Sequence, residues 1–386
     1  MYPNLYYLID DFFGVKLNGL RLVNSFGFFV AIAFVASGFV LYNELKRKES
    51  IGEFTPTEES IIIGAPASMS ELLTSFFFGF LFGYKIIGAF TIADALNNTQ
   101  AFILSLQGNI GAGILVGAIM VYLKWKEKDK DKLAKPETRK LLLWPHDRVG
   151  DIVLQAALWG FLGAKIFHNL ENLEELMLDP WGSLISFSGL TFYGGLILAT
   201  IAIIVFIRKY NMRVIHFADA MAPTMLFAYA AGRIGCHISG DGDWGIPNLN
   251  PKPFTWLPDW IWSYQYPHNV VNAGVPIPGC VGNYCNQLPE GVYPTTFYEV
   301  IIMFILFLIV WMVRKKITQP GIITGIYFIF AGGERFFIEK IRVNNKYTFL
   351  PFQPTQAELI SVILIILGIV FLVKSKSWFP KNIQKS

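Results

Sequence analysis

In 386 residues the chain carries 53% hydrophobic and only 16% charged side chains, with a mean hydropathy of +0.45. That excludes a soluble globular protein of this length, whose surface would need far more charge. A net charge of +4 is too small to argue for nucleic acid, and the basic residues gather beside apolar runs, where membrane topology puts them.

The composition predicts an all-α polytopic membrane protein. Residues 1–20 are mixed and acidic at Asp10-Asp11, so the first apolar run reads as a retained helix, not a cleaved signal. Apolar spans near the ~20 residues needed to cross a bilayer fall at 24–42, 71–90, 108–122, 151–167, 189–207, 217–234, 296–313, 321–338 and 358–373. Alternate connections are basic: Lys46-Arg47-Lys48, the 124–140 stretch, Arg208-Lys209 with Arg213, Arg314-Lys315-Lys316, and Lys374, Lys376, Lys381 and Lys385 at the end. The other connections are poor in Lys and Arg: 93–106 and 169–186 have none, and 236–294 has Lys252 alone. About nine helices follow, with the amino terminus outside and the carboxyl terminus cytoplasmic. Lys340, Arg342 and Lys346 break the pattern and mark a place to look for function.

An internal repeat runs through the first half. Glu71-Leu72-Leu73…Gly83-Tyr84-Lys85 parallels Asp151-Ile152-Val153…Gly163-Ala164-Lys165, and Ser105-Leu106-Gln107-Gly108…Gly113 parallels Ser186-Phe187-Ser188-Gly189…Gly194. The expected copies are 71–126 and 151–209, each a helix pair. Thr191-Phe192-Tyr193-Gly194-Gly195 aligns with Ile110-Gly111-Ala112-Gly113-Ile114, which has no Tyr. The first copy therefore reads as structural and the second as the chemical one.

Charged groups at membrane depth cost ~2.5–3.5 kcal/mol each and need a reason. Gly232-Arg233-Ile234-Gly235-Cys236 leads into a Gly-rich turn with Asp241 and Asp243, and ends at Trp244-Gly245. A guanidinium forks a phosphate, and glycines let backbone amides approach an anion; an Arg snorkelling before an ordinary turn has the same spacing. Arg335, Glu339 and Arg342 are spaced to share one helix face. Tyr193 precedes a Gly-Gly step suited to close helix packing, though a Tyr there is more often an interface anchor. Lys165 and its repeat partner Lys85 lie mid-span. His146, His168, His216 and His268 are scattered without metal-ligand spacing. The 236–295 loop region, with Trp244, Trp256, Trp260 and Trp262, reads as an extracytoplasmic segment on the bilayer surface. Cys280 and Cys285 would there face an oxidising compartment, where a local disulfide can form.

Together these motifs resemble the prolipoprotein diacylglyceryl transferase family of bacterial inner-membrane enzymes. The Gly232-Arg233-Ile234-Gly235…Trp244-Gly245 stretch resembles its signature, preceded by Asp219-Ala220-Met221-Ala222-Pro223 for Asp-x-x-Ala-Pro. Tyr293-Pro294-Thr295-Thr296-Phe297-Tyr298-Glu299 resembles His-Pro-(Ser/Thr)-Gln-Leu-Tyr-Glu, and Arg335…Glu339…Arg342 matches Arg-x-x-x-Glu-x-x-Arg. The chain departs from the family at Phe26 (Tyr in the family), Lys165 (Arg), Tyr193 (His) and Cys236 (Asn), while Asp241 or Asp243 stands for its Glu. The family usually has seven helices, and a duplicated pair accounts for nine.

The resemblance implies transfer of a diacylglyceryl group from phosphatidylglycerol to the lipobox Cys thiol of a preprolipoprotein, releasing glycerol 1-phosphate, with no cofactor or metal. It puts Arg233, Arg335, Glu339, Tyr193, Asp241 and Asp243 in the catalytic set, and Arg233, Gly245, Lys165, Phe26 and Arg342 around the lipid substrate. The alternative is a lipid or small-anion transporter. That function calls for broken helices and coupling carboxylates near mid-membrane, whereas these charges sit at helix ends.

Overall fold

The computed structural model describes all residues except 93–94, 97–98, 186–190, 345, 348–352 and 381–386. Polar residues bordering the apolar runs start the helices. Asn24 accepts a hydrogen bond from the Gly27 amide to open α1 (Ser25–Ser50). Ser68 and Glu71 form a capping box on α2 (Met69–Phe82), which runs on through a π turn at Gly83–Ile87 to Thr91. Asn109 caps α3 (Ile110–Lys130) through the Ala112 amide at 3.0 Å. There follow α4 (Val149–Glu171), α5 (Phe192–Lys209), α6 (Val214–Ser239), α7 (Thr295–Val313) and α8 (Ile322–Glu339). A Thr355–Glu358 capping box opens α9 (Gln356–Trp378).

By length and composition seven of these stretches are apolar enough to cross a membrane: Ser25–Ser50, Met69–Thr91, Pro145–Glu171, Phe192–Lys209, Val214–Ser239, Thr295–Val313 and Gln356–Trp378. The other two expected spans also form helices, but α3 carries Lys124, Lys126 and Glu127, and α8 carries Glu334, Arg335 and Glu339. The molecule is thus a mostly helical, multi-pass membrane protein. Large apolar side chains such as Phe77, Phe78, Leu158 and Ile363 are exposed, as lipid contact demands.

Helix α6 is the axis of the bundle, with α1 and α7 packed along it, α8 beside it and α9 behind α8. One core cluster joins Leu41, Leu45, Val149, Ile152, Ile207 and Phe217; a second joins Leu226, Ala230, Met303, Phe307, Val310 and Ile323. Pro223 lies inside α6, and one turn before it the buried carboxylate of Asp219 reaches across to α8. Asp219 accepts from the amides of Gly321 and Thr324 at 2.8 and 2.9 Å and from the Thr324 hydroxyl at 2.7 Å, so one helix caps another.

The pairs α2/α3 and α4/α5 are built alike. A Cβ on Gly83 would strike the carbonyl oxygen of Ala112, and one on Gly163 that of Gly194. The Asn109 amide donates to the Tyr84 carbonyl, and the Thr191 amide to the Ala164 carbonyl. These contacts set Asn109 opposite Thr191 and Gly111 opposite Tyr193, one residue away from the pairing read in the sequence. In the first pair, Lys85 Nζ donates to the carbonyls of Phe102, Ser105 and Gln107, tying down the crossing segment. The matching Ser186–Gly189 segment, like Lys381 and Lys385, lies outside the described residues.

The described residues also hold two short ribbons, one of them pairing Val275–Pro276 with Asn286–Gln287. Thr57–Ile63 (β1) and Glu137–Leu143 (β2) pair antiparallel, Thr57 opposite Leu143, at the two ends of the first helix pair. Ile61-Ile62-Ile63 and Leu141-Leu142-Leu143 supply the strand-favouring side chains.

Near this ribbon, at the basic end of the bundle, buried charges tie the helices together. Glu44 has no solvent exposure and accepts from Arg47 on α1 and from Arg314, whose guanidinium stacks 3.2 Å over Trp311. Lys48 pairs with Glu53 at 2.6 Å, and Glu53 also meets His216 at 2.8 Å. Arg148 stacks on Tyr210 and bonds Thr57 and Glu59 of β1. Removing one member of a buried pair strands the other, at a cost of about 3–5 kcal/mol. Glu44→Ala is therefore expected to lower the thermal midpoint in detergent well below that of Lys140→Ala, which breaks the exposed Lys140–Glu58 pair.

Candidate active site

At the other end of α6 three arginines meet one carboxylate. Glu299, in the first turns of α7, has no solvent exposure. Its Oε2 lies 2.9 Å from Arg233 Nε, and its Oε1 lies 3.4 Å from both Arg335 and Arg342. Tyr229, one turn before Arg233 on α6, donates to the same Oε1 at 3.1 Å. Arg335 also pairs with Glu339 one turn along α8 at 3.1 Å, and Asn344 donates to the other oxygen of Glu339. The expected Arg335, Glu339 and Arg342 thus come together with Arg233.

The turn after α6 closes over this group. Gly240 ends the helix in the left-handed region and Gly242 has φ +103°, which lets the chain double back. Asp243 then bridges two arginines: one oxygen meets Arg233, the other lies 2.6 Å from Arg342. Thr295 holds the turn by donating to the Asp243 carbonyl at 2.8 Å. Gly245 donates to the Tyr293 carbonyl and pairs with Arg342; a Cβ there would strike the Ile341 carbonyl. Its role is close approach of two chain segments.

Burial disfavours the ionised Asp243, but Arg233 and Arg342 outweigh it and hold its carboxyl below the ordinary value. Asp241 goes the other way, raised by burial and by the neighbouring Asp243 charge. Two adjacent carboxyls are thereby pushed apart, the usual basis for giving one the work of a base and another that of a counter-ion. Cys236 Sγ and oxygens of both aspartates lie within 4.8 Å of one another. Arg233 already reaches this sulfur at 3.8 Å and both Asp243 oxygens are taken by guanidiniums, so the trio is tied into the arginine site.

Tyr193, on α5, is within electrostatic reach of Arg335 and Glu339, which brings the second helix pair to the site. Phe26 borders it from α1, where its backbone oxygen would lie 3.1 Å from a Cβ on Gly235. Lys165 is buried on α4. Cys280 and Cys285 form a disulfide in the loop region, away from this group.

Sequence reading passed over Glu299 and Tyr229, and with them the hub of the site. The signal was available: an acidic residue in the otherwise apolar 296–313 span is as expensive as the arginines that were noticed.

The fold and site define a multi-pass helical membrane protein with three arginines gathered on a buried glutamate at one end of its bundle. The profile of the prolipoprotein diacylglyceryl transferase family matches residues 107–374. The phosphatidylglycerol–prolipoprotein diacylglyceryl transferase of Leptospira interrogans is 28% identical over 310 residues, 68% of this chain and 86% of the relative. The proteins of that name in Chromohalobacter salexigens and Ruegeria pomeroyi are 28% and 26% identical, covering 60% and 64% of this chain and 77% and 85% of their own. The chain belongs to the prolipoprotein diacylglyceryl transferase family.

Glu299→Ala would leave three guanidiniums without their shared counter-ion. It is expected to destabilise the folded protein by about 3–5 kcal/mol, read as a lower unfolding midpoint in detergent; an unchanged midpoint would show that the hub is not structural.

Proposed function

We propose that this chain transfers the diacylglyceryl group of phosphatidylglycerol to the lipobox cysteine of a preprolipoprotein, forming a thioether and releasing glycerol 1-phosphate. The observation that carries this reading is the three-arginine cluster at the end of the bundle, in a chain whose relatives bear that enzyme's name. The matching location is the bacterial inner membrane, with about nine spans, the amino terminus outside and the site at the outer face. The basic segments on alternate connections support that orientation.

The reaction is a displacement at carbon. The thiol loses its proton, sulfur bonds to the glyceryl carbon, and the carbon–oxygen bond to phosphate breaks with its electron pair leaving on oxygen. Charge therefore grows on the phosphate, and Arg233 and Arg335 are placed to meet it, Glu339 orienting Arg335. Arg342 and Gly245 border the phosphate, Phe26 and Lys165 the lipid path, and Tyr193 orients the substrate. Forming thiolate from a thiol of pKa ~8.5 costs only about 2 kcal/mol at pH 7, within reach of Asp241 or Asp243 as base.

Asp243 has a second part in this reading. Its two oxygens sit on Arg233 and Arg342 as two phosphate oxygens would. It lies on a glycine-flanked turn and is partly exposed, whereas Glu299 and Glu339 are fixed on helices and fully buried. Asp243 is thus the anion that the lipid headgroup displaces, and once freed it is a stronger base beside the incoming thiol.

Protein in phosphatidylglycerol vesicles, given a lipobox peptide, is expected to yield a peptide heavier by one diacylglyceryl group by mass spectrometry. Arg233→Ala should slow this by about 10²–10³-fold, the usual value of one charge-stabilising donor. A folded, lipid-binding protein that forms no adduct would favour transport instead. Asp243→Asn should bind glycerol phosphate more tightly than wild type in calorimetric titration, because the competing internal anion is gone; weaker binding would remove the displacement step.

A further inference from the structure

One buried acid at this site has no part in the scheme above. Glu334 precedes Arg335 on α8, and its residue is 7% exposed. Its Oε1 is buried without a hydrogen-bond partner, and no ion pair forms to it among the described residues. It is nonetheless in electrostatic reach of Glu299 on α7, Arg233 and Tyr229 on α6, Arg335 on its own helix and Arg342 beyond it.

Charge balance decides what such a group can be. Arg233, Arg335 and Arg342 bring three positive charges, and Glu299, Glu339 and Asp243 bring three negative ones, every one in an ion pair. The arginines are thus balanced without Glu334, and Asp241 already adds a further carboxyl beside Asp243. Ionised, Glu334 would be one more carboxylate without an ion pair in a buried site that must also accept an anionic headgroup, an arrangement proteins avoid. A neutral carboxylic acid fits the same place and has a proton to give.

We propose that Glu334 is the general acid of the transfer, protonating the phosphate oxygen as it leaves the glyceryl carbon. This rests on the transferase reading. The thiol proton passes to Asp241 or Asp243, the sulfur–carbon bond forms, and the carbon–oxygen bond breaks. The leaving oxygen takes both the electron pair and the proton of Glu334, so glycerol phosphate departs as a monoanion. The carboxylate left on Glu334 then repels the product and regains a proton from water.

The test is the pH dependence of turnover in phosphatidylglycerol vesicles with the lipobox peptide. The wild type should lose activity on the alkaline side as its acid deprotonates. Glu334→Gln, which keeps size and hydrogen bonding but has no transferable proton, should turn over about 10²-fold or more slowly, with the lipid KM little changed and the alkaline limb gone. Wild-type turnover in Glu334→Gln, or a loss of rate that leaves the limb in place, would overturn the proposal. If Glu334→Gln does not fold, Glu334→Asp carries the test: a displaced alkaline limb supports the assignment and an unmoved one rejects it. Absence of any adduct with the wild type would instead count against the transferase reading itself.

Discussion

A single carboxylate, Glu299, holds together the part of the molecule where the chemistry is expected. Fully withdrawn from solvent, it is tolerable only because guanidiniums from α6, from α8 and from the segment beyond α8 converge on it. The dependence is mutual. Three arginines this close would repel one another, and in low dielectric they need anions fixed in place before any substrate arrives. Glu299 therefore does for the empty site what a bound phosphate would do for the filled one. It requires α7 to lie against α6 with its first turn level with Arg233. The Asp219 cap then sets α8 alongside from the opposite end of the same helix.

Seen in these terms, much of the site was legible in the sequence and its centre was not. Arg233, Arg335, Glu339 and Arg342 stood out because charges at the ends of apolar spans are costly, and the structure brings all four together. Glu299 was overlooked because it closes a segment read only for its resemblance to a family motif, with no charge near it in sequence to show what it would pair with. Glu334 was hidden by adjacency: a Glu beside an Arg reads as a local pair, yet on a helix consecutive residues point about 100° apart and do not face each other. Spacing reveals partners three or four residues away along one helix. It does not reveal partners on three different helices.

The same limit explains the fold-level differences. Helix positions followed from hydropathy, and the repeat from its glycines and lysines. The one-residue offset between the two copies did not, because it depends on which carbonyl a glycine approaches. The β1–β2 ribbon was hidden because its strands are more than seventy residues apart and only their pairing defines them. α2 and α3 leave and rejoin the bundle through one hydrogen-bonded neck, and pack closely on each other.

The departures from the family pattern leave the arginine cluster on Glu299 untouched. Arg233, Arg335, Glu339 and Arg342 stand where the resemblance expects them, while Phe26, Lys165, Tyr193, Cys236 and the Asp241–Asp243 turn depart from it. Groups that stabilise a leaving phosphate must sit at fixed positions, since their value comes from preorganised charge. Groups that move a proton need only a suitable acidity within hydrogen-bonding reach, and several carboxyls can meet that demand. Here the turn offers two carboxyls of opposed tendency, one held ionised by arginines and one kept closer to neutral by burial.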